Sequence, residues 1–181
     1  MPLHDRVAIV TGAAGHIGSA IARRLAADGA TVVVSDINGE RAQRVADGLI
    51  TAGGKALAMA TDVRRSASVE DMVAQTMTRY GRLDILVNVA GGSARERAST
   101  VYGSREEVLR EIIEVNLFGV IFCCRAALGH MLAQGHGRIV NIASALAGQG
   151  QPGHADYAAA KGGVIAFSRT LAMEVGPHNI H

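Results

Sequence analysis

The sequence predicts an α/β fold: a doubly wound parallel sheet with helices on both faces, three layers in all. Three observations predict it. Short runs of Val, Ile, Leu and Ala alternate five times with longer stretches whose apolar residues recur at helical spacing. The short runs show little polar alternation, as strands buried on both faces do. A turn carrying three glycines joins the first run to the first helical stretch.

Taken in order, RVAIVTG (6–12) is a β-branched run closed by glycine, and IGSAIARRLAADG after it carries helical spacing and a glycine stop. TVVVSD (31–36) precedes a helix over 39–52, and KALAMATD (55–62) precedes one over 66–80. LDILVN (83–88) leads to a long helix over 104–132, opened by Ser104 and Glu107 at capping-box spacing. GRIVNIAS (137–144) is the fifth strand, and a helix over 155–175 is stopped by Gly176-Pro177. Right-handed crossovers make this series a doubly wound sheet, in which ligands bind beyond the carboxyl ends of the strands.

Composition bounds the rest. A chain of 181 residues is the size of one domain, spanning 1–181, and 49% hydrophobic with 19% charged residues describes a globular core. A net charge of +2 and 3% aromatics provide neither a basic stripe nor base-stacking platforms, so nucleic acid is excluded as a partner. No run of 18 apolar residues and no signal-like start occur, which predicts a cytoplasmic protein without a membrane partner. Cys123 and Cys124 are adjacent in an apolar run and read as buried small hydrophobes. His4, His130, His136, His154, His178 and His181 lack metal-ligand spacing and read as solvated or loop residues, with no metal site. Arg23-Arg24 and Arg64-Arg65 read as solvated helix faces or loop edges.

The unusual motifs all follow strands. After the first comes TGAAGHIG, with Gly12, Gly15 and Gly18 where a backbone must turn tightly or approach a pyrophosphate at a helix amino terminus. After the second stands Asp36, placed to accept hydrogen bonds from an adenosine ribose and to repel a 2′-phosphate, which predicts NAD and disfavours NADP. ADYAAAKGG (155–163) sets Tyr157 four residues before Lys161, one of two lysines among 18 cationic side chains. Residues i and i+4 share a helix face. A phenol is a weak base at neutral pH, and a cation held close favours the phenolate, which suits general acid–base catalysis. A compact ammonium can also donate to ribose hydroxyls, where the planar fork of arginine would not fit.

Together these residues resemble the compact, single-domain branch of the short-chain dehydrogenase/reductase family, over essentially the whole chain. The resemblance implies a Rossmann-type sheet binding a nicotinamide dinucleotide. It implies that Gly12, Gly15, His16, Ile17, Gly18, Asp36 and Ile37 line the cofactor, that Asp62 and Val63 contact adenine, and that Asn88, Ala90 and Gly91 border the same cleft. Asn116, Ser144, Tyr157 and Lys161 would form a catalytic tetrad, Tyr157 and Lys161 also touching the cofactor. Ser144 would hold the substrate oxygen. Asn116, a poor helix former inside a helix, would support a proton relay to Lys161. Two positions depart from the family pattern: His16 stands where this branch has its middle glycine, and Val89 where a second Asn is common.

The implied activity is NAD-dependent interconversion of a secondary alcohol and a ketone on a small-molecule substrate, by a homo-dimer or homo-tetramer. Family members continue beyond EVGPHNI into further strands and a substrate-covering segment, so the fold is expected to lack the last strands and to expose one edge of GRIVNIAS. That absence leaves an alternative: a catalytically feeble dinucleotide-binding or oligomer-forming module.

Overall fold

The computed structural model describes residues 3–93 and 100–181. Five strands, β1 (Val7–Thr11), β2 (Thr31–Asp36), β3 (Lys55–Ala60), β4 (Ile85–Asn88) and β5 (Arg138–Asn141), form one parallel sheet in the order β3-β2-β1-β4-β5. The central strand pairs Val7 with Thr31 on one side and Ala8 with Ile85 on the other. The order reverses at β1, since the chain winds outward through β2 and β3 and then returns to add β4 and β5. That reversal opens a crevice between the turns that follow β1 and β4.

Successive residues of β1 face opposite sides of the sheet, and each side has its own core. Ile9, Val33 and Leu86 pack with Met72 and Val73 of α3 (Ser66–Tyr80), Cys123 and Met131 of α5 (Gly119–Gln134), and Val164 of α7 (Ala155–Val175). Val10, Val32 and Val34 pack with Ala22 and Ala26 of α1 (His16–Ala27) and with Ala42 and Leu49 of α2 (Gly39–Thr51). Alanines on the inner faces of α1 and α2 let both helices approach the strands closely. Both cysteines are free and buried, as expected, and burial pushes the Cys124 thiol up to about 12.

At the end of the sheet remote from the crevice, the wholly buried carboxylate of Asp84 accepts from Arg82 at 2.6 Å, from Arg6 at 2.7 Å and from the Val7 N–H at 2.9 Å. This cluster ties the lead-in to β4 onto the start of β1.

The predicted long helix differs in detail. It begins as α4 (Glu106–Ile113), passes through a π-helical turn at Glu114–Phe118 and continues as α5. Its N-cap is Arg105 rather than Ser104, whose hydroxyl donates to the Thr100 carbonyl at 3.1 Å. By composition and length the stretch Glu106–Gln134 could cross a membrane, yet its inner face forms core against the sheet. A short helix α6 (Leu146–Gln149), absent from the sequence reading, intervenes before α7. His154 is buried rather than solvated, with Nδ1 3.2 Å from the Pro152 carbonyl oxygen.

The outer edge of β5, expected bare, is partly paired. Gly137 bridges Ile180 in parallel, and the Ile139 N–H donates to the His181 carbonyl at 2.7 Å.

Candidate functional site

The crevice is built by close approach of two turns. Gly12 has φ +62°, a conformation that disfavours any side chain, and a Cβ there would lie 2.8 Å from both N and Cα of Ala90. Thr11 holds that apposition, its hydroxyl oxygen accepting from the N–H groups of Val89 at 3.1 Å and Ala90 at 3.2 Å. Gly18 seats α1 on the turn: a Cβ there would collide with the Gly12 carbonyl oxygen and stand 2.8 Å from Cα of Ala13. Gly15 is the N-cap of α1, with no side-chain cap and no acid in the first turn. The helix amino terminus therefore offers N–H groups and positive dipole to an anion. His16, which departs from the family pattern, is the first residue of α1, and its side chain is exposed at the crevice rim without narrowing the turn.

The crevice encloses about 730 Å³. Of the residues predicted to contact the cofactor, Gly12, Gly15, His16, Ile17, Gly18, Asp36, Ile37, Asp62, Val63, Ala90 and Gly91 line it, whereas Asn88, Tyr157 and Lys161 do not. Asp36 accepts from the Ala14 N–H and the Asn38 N–H, both at 3.0 Å, so its carboxylate couples the glycine turn to the turn after β2. Asp62 is gripped by Arg64 through two side-chain bonds of 2.9 and 2.8 Å, and that partner holds its carboxyl below the usual range even though partial burial works the other way. Arg64 is thus a crevice residue, not the solvated loop edge read from sequence.

Asn88 lies deeper, below the crevice floor. It donates to the Asn141 side chain at 2.8 Å, which in turn donates to Ser168 on α7 at 2.9 Å. Its own Oδ1 and the hydroxyl of Thr61 are buried with no partner among the described residues. This polar chain fastens α7 to the ends of β4 and β5.

Tyr157 and Lys161 lie one turn apart near the start of α7, which packs beside α6 at the ends of β4 and β5. The Lys161 ammonium lies 5.9 Å from the centroid of the Tyr157 ring and donates to the Ile142 carbonyl at 2.8 Å. The side chain is almost wholly buried, and desolvation lowers its pKa from that of an ordinary lysine. Ser144, two residues beyond Ile142, accepts the Leu146 N–H on its hydroxyl oxygen at 3.2 Å and so starts α6. Among the described residues its proton has no acceptor.

Asn116 occupies the π-helical turn and has no exposed surface. Its amide clasps Gly92, accepting from the N–H at 3.1 Å and donating to the carbonyl at 2.9 Å, while also donating to the Ile112 carbonyl. Gly91, at φ +152°, packs so tightly against this clasp that a Cβ would collide with Asn116 Oδ1 and lie 3.6 Å from the Lys161 ammonium. Asn116, Gly91 and Lys161 therefore meet at one point. Sequence reasoning missed Thr11 as the tie between the two turns, and Arg64 and Arg41 as crevice residues. A buried strand-end threonine followed by glycine was a usable signal for the first, whereas the arginines carried none.

A parallel sheet reversing at β1, with a glycine-walled crevice outside its carboxyl ends, defines a Rossmann-type α/β protein. The family model for short chain dehydrogenases matches residues 6–181, and the chain belongs to that family. It is 42% identical over 176 residues to the short-chain reductase protein NovJ of Streptomyces niveus, covering 97% of this chain and 66% of the relative. It is 39% identical over 180 residues to the 3-oxoacyl-(acyl-carrier-protein) reductase FabG of Escherichia coli, covering 99% and 71%. The chain thus spans about two thirds of the length of these relatives. Among solved structures, a metagenomic short-chain oxidoreductase in complex with NADP superposes with TM-score 0.95 at 31% identity, covering 100% of this chain and 81% of that one. NAD+-bound xylitol dehydrogenase superposes equally, at 30% identity with 100% and 69% coverage.

Proposed function

We propose that this chain is an NAD(H)-dependent oxidoreductase interconverting a secondary alcohol and a ketone. The observation that carries the reading is a nearly buried ammonium, that of Lys161, held 5.9 Å from the centre of the Tyr157 ring beside a glycine-walled crevice. The crevice residues fit a dinucleotide, because Gly12, Gly18 and Gly91 let its turns and α1 pack too closely to admit a Cβ, and α1 presents an uncapped amino terminus to a pyrophosphate. A bound nicotinamide would supply the donor or acceptor of hydride.

The remaining chemistry falls to the chain. Tyr157 takes or gives the proton of the substrate oxygen. Lys161 favours the phenolate by its charge and donates to ribose hydroxyls, its ammonium aimed by the Ile142 carbonyl. Ser144 donates its free hydroxyl proton to the substrate oxygen, stabilising charge that develops there. Asn116 supports the proton relay to Lys161 by fixing the backbone at Gly92. Asp36 accepts from the adenosine ribose and repels a 2′-phosphate, which favours NAD over NADP. The substrate is a small alcohol or carbonyl compound, and the working form is a cytoplasmic homo-dimer or homo-tetramer.

Reduction of NAD with a panel of secondary alcohols tests the reading. Tyr157→Phe should lower turnover at least about 100-fold while leaving NAD affinity within about threefold. Turnover that survives the substitution would overturn the mechanism. NAD binding without turnover in the unaltered chain would instead favour a binding module.

A further inference from the structure

A second cleft, of about 810 Å³, lies between α1 and α2 on the face of the sheet away from α7. Its lining includes Arg23 from α1, Arg41 and Arg44 from α2, and His4, with an apolar floor of Ala26, Val45 and Leu49. No carboxylate is in the lining, and among the described residues none of these three arginines takes part in an ion pair. Of the acids on the same two helices and their ends, Asp28 pairs with Arg24 at 2.8 Å and Asp47 accepts from Gln43 at 2.8 Å, while Glu40 in the first turn of α2 stands outside the lining. His4 is set in place by Gly29, whose φ of +99° and missing Cβ leave room for the imidazole ring.

We propose that this cleft binds a phosphate monoester between Arg23, Arg41 and Arg44. Three arginines line one cleft whose lining holds no carboxylate, so a dianion there would meet uncompensated positive charge. Arginine presents donors in a fork that matches two phosphate oxygens at once. Arg41 and Arg44 stand three residues apart and so share one face of α2, while Arg23 comes from α1. The apolar floor and the volume suit the organic body of a small phosphorylated metabolite.

Arg41 also lines the crevice that holds Asp36, and its Nη2 donates to the Ala14 carbonyl at 3.3 Å. The same chemistry could therefore come from two sources: a separate phosphorylated metabolite, or the 2′-phosphate of NADP seated next door. The second source rests on the dinucleotide reading; the first does not.

Titration of the full chain with inorganic phosphate, followed by calorimetry, tests the site without any cofactor. Phosphate should bind the unaltered chain, at least tenfold more weakly the doubly substituted Arg23→Ser/Arg44→Ser, and equally well the control Arg169→Ser on the exposed side of α7. Parallel titrations with NAD and NADP separate the sources. For a separate metabolite, phosphate still binds with NAD saturating, and the NADP-to-NAD affinity ratio is the same in the double variant. For a 2′-phosphate, phosphate competes with NADP, and the double variant weakens NADP at least tenfold while leaving NAD unchanged. Absence of phosphate binding, or equal binding in the double variant, together with an unchanged affinity ratio, would overturn the proposal.

Discussion

Asn116 illustrates how one residue can be obliged by its surroundings. A helix interior disfavours asparagine because its amide competes for backbone groups, yet here that competition is the use: the amide bonds both backbone groups of Gly92. Asn116→Ala should cost about 1 kcal/mol in urea denaturation and speed exchange of the Gly92 amide hydrogen markedly. Unchanged exchange would show that the clasp holds nothing. Asp84 makes the second case. Burial alone would raise its pKa, but Arg82, the Val7 N–H and Arg6 outweigh burial and hold it at about 2. A carboxyl depressed below its unfolded value of about 3.9 stabilises the fold above that pH and loses its contribution as pH falls towards 2. Roughly 2 kcal/mol should therefore vanish between about pH 5 and pH 2, and Asp84→Asn should flatten that limb of a stability-against-pH curve. The sequence made the glycines and Asp36 legible because each directly follows a strand, and Tyr157 and Lys161 because their four-residue spacing and the rarity of lysine single them out. It hid the Asp62–Arg64 fork and the Asp84 cluster, since a charged pair two residues apart looks the same whether solvated or buried.

At the scale of elements, apolar runs and glycine stops located all five strands and most helices, because burial on both faces writes an unmistakable pattern. The π-helical turn was not legible. It adds one residue per turn locally, and the preference for it arises from what the helix packs against rather than from its own side chains. Gly119 marks the spot: a Cβ there would meet Cγ2 of Val63 at 2.8 Å. Gly119→Ala should destabilise by about 1–3 kcal/mol through overpacking, read as a fall in the denaturation midpoint. Adding Val63→Ala should recover part of that loss, since the two changes share one space. Additive losses would locate the strain elsewhere. Helix α6 escaped notice for a simpler reason: four residues carry too little periodicity to read.

For the molecule as a whole, the outward faces of the long helices carry apolar side chains that the described residues leave partly or largely exposed. Met173 on α7 is 81% exposed, and Phe118, stacked on Phe122 at 5.9 Å, is 44% exposed. Isolated exposed residues are ordinary, but these sit on neighbouring segments, α7 and the π-helical turn packed against it, and the proposed assembly would cover them. Size-exclusion chromatography with light scattering should give a dimer or larger species, and Met173→Glu should shift it toward monomer. A monomer at all concentrations would discount the assembly.

The central position of β1 carries a consequence for biosynthesis. The strand leaves the ribosome before either of its neighbours exists, acquires β2 soon afterwards, and keeps its other edge unpaired until the segment around Ile85 has been made. A nascent chain arrested before that point displays Ile9 and Val33 to solvent, which makes it the intermediate most in need of a chaperone.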